Sequence, residues 1–230
     1  MPISFLKSFK YLALSAVMTL PFMQSASAAI VSAVGATIDS GGPGFGNIAD
    51  TYNQNGLSSN YVSGVTDFNT YIGGGPTHTP IFSGFEWFSN SGSTSAQVTY
   101  DLGSVLKISK MAIWNEEASG IGLLDLFGST DGVTFTSLLA GVLLTDNPGG
   151  FFSYTADILN FTATNFRYIR LDMSGCPQPN GSFPACAIGE VAFNSVSSVP
   201  VPAALPLVMT GLFGLGALSR RRKQKSAVSV

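Results

Sequence analysis

The chain predicts an all-β sandwich, and three observations lead there. Apolar residues recur at every second position through its middle, turn residues interrupt them at short intervals, and the body carries no long amphipathic helical pattern. Over 97–102, Val98, Tyr100 and Leu102 alternate with Gln97, Thr99 and Asp101, which suits a strand with one face buried and one wet. Over 166–173 the pattern repeats, with Ile169, Leu171 and Met173 facing a core and Arg170 and Asp172 facing water. Further strands are expected over 107–114, 123–128, 133–138, 154–161 and 188–193. Turn chemistry such as Thr130-Asp131-Gly132 and Asn147-Pro148-Gly149-Gly150 separates them. Many short strands at this spacing build a sandwich. Residues 40–96, rich in Gly, Asn, Ser and Thr, read as long loops packed on one end of it, where binding residues concentrate.

Both ends of the chain read as processing segments. Lys7 and Lys10 precede an apolar stretch over 11–23, and Ala26-Ser27-Ala28 offers a small-residue cleavage site, so residues 1–28 form a secretory signal peptide cut after Ala28. At the other end, Val199-Pro200-Val201-Pro202 leads into an apolar run over 203–218 and then into Arg220, Arg221, Arg222, Lys223 and Lys225. As a helix that run would reach only about 24 Å, against a hydrocarbon core of roughly 30 Å. The basic cluster holds its end cytoplasmic and leaves everything before Val199 outside. This tripartite tail over 199–225 resembles the PEP-CTERM sorting signal of Gram-negative bacteria, with Val201 where the usual motif has Glu. The resemblance implies removal of the tail by an exosortase, transient anchoring in the inner membrane, and delivery to the cell surface, outer membrane or extracellular matrix.

Setting the ends aside changes the charge balance. Seven of the eleven Lys and Arg lie in the leader and tail, so the body keeps only Lys107, Lys110, Arg167 and Arg170 against all thirteen Asp and Glu, a net charge of about −9. Such a surface excludes nucleic acid as a partner, which needs a basic footprint. It suits neutral sugars or a divalent cation. About 170 residues between Ala29 and Ser198 are enough for one domain with a real core. The two cysteines, Cys176 and Cys186, sit in a Pro/Gly-rich segment of an exported chain and are expected to form a disulfide.

Four segments then match one family in order. The run YDLGSVLKISKMAIWN, the hairpin GSTDGVTFTSL, the strand FRYIRL and the closing strand IGEVAF resemble the discoidin, or coagulation-factor type C, domain over roughly 100 residues. That resemblance implies a galactose-binding-like jelly roll over 29–198, a fold used mainly for non-catalytic binding of glycans, lipids or proteins. It also implies a structural calcium ion, because the Glu of the closing strand, here Glu190, is often a ligand in the family. Asn53 and Asp67 are its expected partners, from the segment occupying the family's metal loop, and the acidic body agrees with a cation.

Catalytic chemistry is thin. His78 is the single histidine, no G-x-S-x-G signature is present, and Glu116 and Glu117 are adjacent, so on a strand their side chains would diverge to opposite faces. An enzyme is not expected. Trp87 and Trp114 read as core, while Tyr71, His78, Asn115 and Glu116 are the expected ligand-binding face, where planar polar groups pair with sugar hydroxyls at a shallow site. The expected function is an exported binding module for carbohydrate or exopolysaccharide. Its alternative is a structural surface or matrix protein without a specific glycan.

Overall fold

The alternation seen in 97–102 marks the start of a much longer strand. The structure, a computed structural model, describes residues 28–81 and 84–196. The leader before Ala28, the sorting motif Val199–Pro202, the apolar run and the basic cluster lie outside the described residues. No helix among the described residues is long and apolar enough to cross a membrane. In chain order the strands are β1 (Ala28–Val31), β2 (Gly35–Ser40), β3 (Phe45–Gly46), β4 (Thr77–His78), β5 (Trp87–Phe88), β6 (Ser95–Asn115), β7 (Leu123–Ser129), β8 (Thr136–Leu143), β9 (Tyr154–Thr155), β10 (Asp157–Ser174) and β11 (Ala187–Val196). A short 3-10 turn (Ile48–Thr51) and helix α1 (Phe68–Gly73) precede β4. Nine of these strands form one antiparallel sheet, and β4 pairs with β9 in a separate ribbon.

That sheet folds over itself because β6 and β10 each serve both layers. The first half of β6 pairs with β2 and with the end of β10, where Thr99 stands opposite both Thr37 and Arg170. Its second half pairs with β11 and with the start of β10, where Ala112 stands opposite Ala192 and Ile158. The expected strands 97–102 and 107–114 are thus one strand bent between Leu102 and Leu106. Gly103 at φ 80° sits in that bend, a backbone state that any side chain would strain. Likewise 154–161 and 166–173 largely merge into β10, with register shifts between Asn160 and Thr164 and between Phe166 and Tyr168. The expected strand at 133–138 begins later, at Thr136. The Asp131 carboxylate accepts from the N–H groups of Val133 and Thr134 and folds them into a turn instead.

The two layers enclose the main core. Val98, Tyr100, Leu126 and Leu171 face it from the first, and Met111, Ile113, Val191 and Phe193 from the second. Along β6, burial alternates from Ala96 to Leu102 and becomes continuous from Met111 to Asn115. Continuous burial means that the second layer is covered on both faces. Segment 52–80 supplies that cover: Leu57, Phe68 and Tyr71 pack against Ala112, Trp114 and Ala192. The expectation that 40–96 sits on one end of the sandwich is therefore corrected, since much of it is a third layer on a sheet face. Both tryptophans are core, as expected, with Trp87 Nε1 donating to Pro43 O (2.9 Å) and Trp114 Nε1 to Pro76 O (3.0 Å). Cys176 and Cys186 are bonded, their Cα atoms 5.0 Å apart, and close the loop between β10 and β11.

Candidate functional site

The four residues expected on a ligand-binding face are all buried. Tyr71 leaves α1 to donate to Ser59 O and packs edge-on against Tyr61, ring centres 5.0 Å apart. Asn115 ends β6 and ties the following turn: its amide donates to Ile121 O and Thr145 O while Oδ1 accepts from Ile121 N. Glu116 Oε2 accepts from the N–H groups of Ala118 and Ser119. His78 Nδ1 lies 2.9 Å from Thr79 O and 3.0 Å from the Tyr154 hydroxyl. These side chains hold loops together and show almost nothing to a ligand, so they form no shallow surface face. The third layer hides them, which alternation along the chain does not reveal.

Glu116 belongs instead to a group of buried acids. Glu86, Glu116, Glu117 and Glu190 are each at most 2% exposed. Glu117 Oε1 accepts from Ile81 N, Glu86 Oε2 from Phe85 N and Glu190 Oε2 from Gln54 N, and one oxygen of each of the four has no hydrogen-bond partner. Tyr154 and His78 lie among them, with Glu86 Oε1 3.7 Å from His78 Nδ1. Glu116 and Glu117 do not diverge. They fall in the turn after β6, where strand alternation no longer applies, and lie near enough for the Glu117 charge to act on the Glu116 carboxyl. Burial followed by the nearby Glu117 charge raises Glu86 to about 8 and Glu116 to about 9. Burial carries Glu190 well above the usual carboxylate range and pulls His78 down to about 4, leaving a neutral imidazole.

The expected calcium ligands fit only in part. Glu190 has an unpartnered buried oxygen, and the turn carrying Asn53 meets it through Gln54 N. Asp67, however, caps α1 by accepting from Thr70 N and bridges to Ala29, which pairs with Ser195. Five residues of β11 separate that level from Glu190, about 17 Å at strand rise, so Asp67 cannot share an ion with it. Among the described residues, no three His, Cys, Asp or Glu side chains converge on a point that could hold a metal.

Exposed polar chemistry gathers elsewhere, on the outer face of the first layer. The outward residues there are those that alternation sends to water: Thr37 on β2, Gln97, Thr99 and Asp101 on β6, Arg170 and Asp172 on β10. In register they make rows across the sheet, Thr37–Thr99–Arg170 and Gly35–Asp101–Tyr168. The β7–β8 turn walls one side, bringing Asp131, Gly132, Val133 and Phe135 over these rows, and β2 walls the other, leaving an open cleft of about 610 Å³. The turn is stiff, because Asp131 Oδ1 accepts from the Val133 and Thr134 N–H groups and from the Ser129 hydroxyl. Those bonds hold its carboxyl at about 2. Gly132, at φ 75°, passes so near Tyr168 that an added Cβ would sit 3.3 Å from the ring. Inside the cleft Thr99 donates to Asp39 (2.6 Å) and Gln97 to Asp172 (2.7 Å). The Arg170 guanidinium lies 4.9 Å from the Phe127 ring centre and 4.3 Å from that of Phe135. Hydroxyl, amide, carboxylate and aromatic groups thus share one floor, and groups of these kinds can hydrogen-bond and stack against a small polar ligand.

No family model and no curated protein matches the chain. Among solved structures it is similar to chitosan-binding module 1 of a chitosanase/glucanase from Paenibacillus sp. IK-5, at 18% identity and a TM-score of 0.45 over 71% of this chain and 95% of that one. It is also similar to the CBM32 of AlyQ in complex with 4,5-unsaturated mannuronic acid, at 18% identity and a TM-score of 0.43 over 71% and 96% of the two chains. A third is the CpGH89CBM32-5 module from Clostridium perfringens in complex with GalNAc-β-1,3-galactose, at 17% identity and a TM-score of 0.39 over 47% and 73%. At that level of likeness no ligand passes from these modules to this chain.

Proposed function

We propose that the chain is an exported, non-catalytic module that binds carbohydrate, and that its ligand lies in the cleft between β2 and the β7–β8 turn. The observation that carries this reading is the lining itself: polar rows fixed by strand register, beside aromatic rings, in a cleft of about 610 Å³. Glu86, Glu116, Glu117 and Glu190 are buried, out of a ligand's reach. Gly35 gives the test. A Cβ added there meets nothing within 4 Å, so Gly35→Leu puts a bulky side chain into the cleft without disturbing the fold and should strongly weaken sugar binding.

Export and sorting complete the reading. The leader ending at Ala28 and the Val-Pro-Val-Pro tail support cleavage by signal peptidase and then by an exosortase, with transient residence in the inner membrane before release to the surface or matrix. Mass spectrometry of the protein from its host should find Ala29 at the start and no Arg220 to Lys223 cluster. Intact C-terminal peptides on the cell surface would leave a retained anchor instead. The galactose-binding-like resemblance also supports a calcium ion on Glu190, with Asn53 and the carbonyls of its turn as partners.

A further inference from the structure

Building on the reading of the cleft as a glycan site, we propose that it selects polymers carrying protonated amines, such as glucosamine chains, over polymers of uronic acids. The selection follows from which charges of the lining are already matched. Asp101 is matched: Arg167 holds both its oxygens at 2.9 Å. Arg170, the one cation lining the cleft among the described residues, lies 3.3 Å from the Asp172 carboxylate with Phe127 and Phe135 against its guanidinium. A carboxylate entering the cleft would have to compete with Asp172 for it.

Asp39 and Asp131 are different. Among the described residues neither makes an ion pair with Lys or Arg. Asp39 receives only the Thr99 hydroxyl, and Asp131 only backbone N–H groups and the Ser129 hydroxyl. They flank the cleft from opposite sides, Asp39 from β2 and Asp131 from the β7–β8 turn, with β6 and β10 between them. A uronate lying on the floor therefore meets two unmatched carboxylates and one cation that already faces Asp172. An amine meets two unmatched anions. Exposed pairs of this kind are each worth a factor of about two to five, so the two together predict a preference of about four- to twenty-five-fold.

The experiment titrates the full-length chain with a glucosamine oligomer, its N-acetylated counterpart and a galacturonate oligomer of equal length. It is run at about pH 6, below the usual pKa of an amine, and at low and high salt. The glucosamine oligomer should bind most tightly and galacturonate least. The gap should close in about 1 M salt, where the screening length shrinks to about 3 Å. In Asp39→Asn, which keeps an acceptor for Thr99, the loss should be two- to fivefold for the amine oligomer and smaller for the N-acetylated one. Galacturonate binding as tightly as glucosamine, or an amine preference indifferent to salt and to Asp39→Asn, overturns the selection and leaves the cleft a glycan site. Binding of none of the three overturns the glycan reading and the selection with it.

Discussion

Glu86, Glu116 and Glu190 lie buried with no Lys or Arg paired to them among the described residues, and the fold's response to pH follows from that. The folded chain keeps its protons up to about pH 8 on Glu86 and about 9 on Glu116, whereas the unfolded chain releases them near 4.5. Their contribution to stability is thus complete below 4.5 and disappears as pH rises through 8 and 9. His78 acts in the opposite sense: held neutral down to about 4, it loses its contribution as pH falls below 6.5. Raised carboxyls outnumber the one imidazole, so the melting temperature in EDTA should fall by several degrees from pH 6 to pH 9, less steeply in Glu116→Gln. A profile flat across that range would contradict this account of the cluster. A calcium ion on Glu190 would compete with its proton and stabilise more at pH 8 than at pH 6. At a hundredfold excess over its dissociation constant the gain is about 2.7 kcal/mol, roughly 5 to 10 °C for a domain of this size. Equal melting of the parent in calcium and EDTA at pH 8 removes the ion from the account, and Glu190→Gln should show no calcium response. The burial of Trp87 and Trp114 was readable, because large apolar rings in strand-like runs have few other places to go. The burial of His78 and Glu116 was not: it depends on a loop layer folding back from dozens of residues away, which leaves no local periodicity.

At the scale of elements, alternation located the strands and misjudged their length. Gln97 to Leu102 and Lys107 to Trp114 each carry a strand pattern, but nothing local says that the pairing continues through Gly103 to Leu106 as one bent strand. The run Met111 to Asn115, apolar at four consecutive positions, already held the signal that this half is covered on both faces. Gln97, Thr99, Arg170 and Asp172 were correctly sent to water. What the sequence withheld is the register that sets Thr99 beside both Thr37 and Arg170 and so turns scattered polar positions into a floor. The bridge between Cys176 and Cys186 staples the crossing from β10 to β11, a sequence separation of 10. Closing a loop of that size removes about 3 kcal/mol of unfolded-state entropy, so reduction or a double Cys→Ser change should lower the melting temperature by roughly 5 to 10 °C. Unchanged melting after complete reduction would show that the loop is held by its packing alone.

On the scale of the whole molecule, charge and layering divide the labour. A body with about nine excess negative charges repels other polyanions. The third layer covers the buried glutamates, and the uncovered face of the first layer carries the open cleft. The central claim is that this cleft, rather than the loop layer, holds a sugar. Calorimetric titration of the parent and Gly35→Leu with the same panel of oligosaccharides tests it most directly, with melting curves confirming that both are equally folded. The account predicts binding by the parent and at least a tenfold loss in Gly35→Leu at unchanged melting temperature. Equal binding by the two would place the ligand elsewhere, and no binding by a folded parent would leave a structural surface protein.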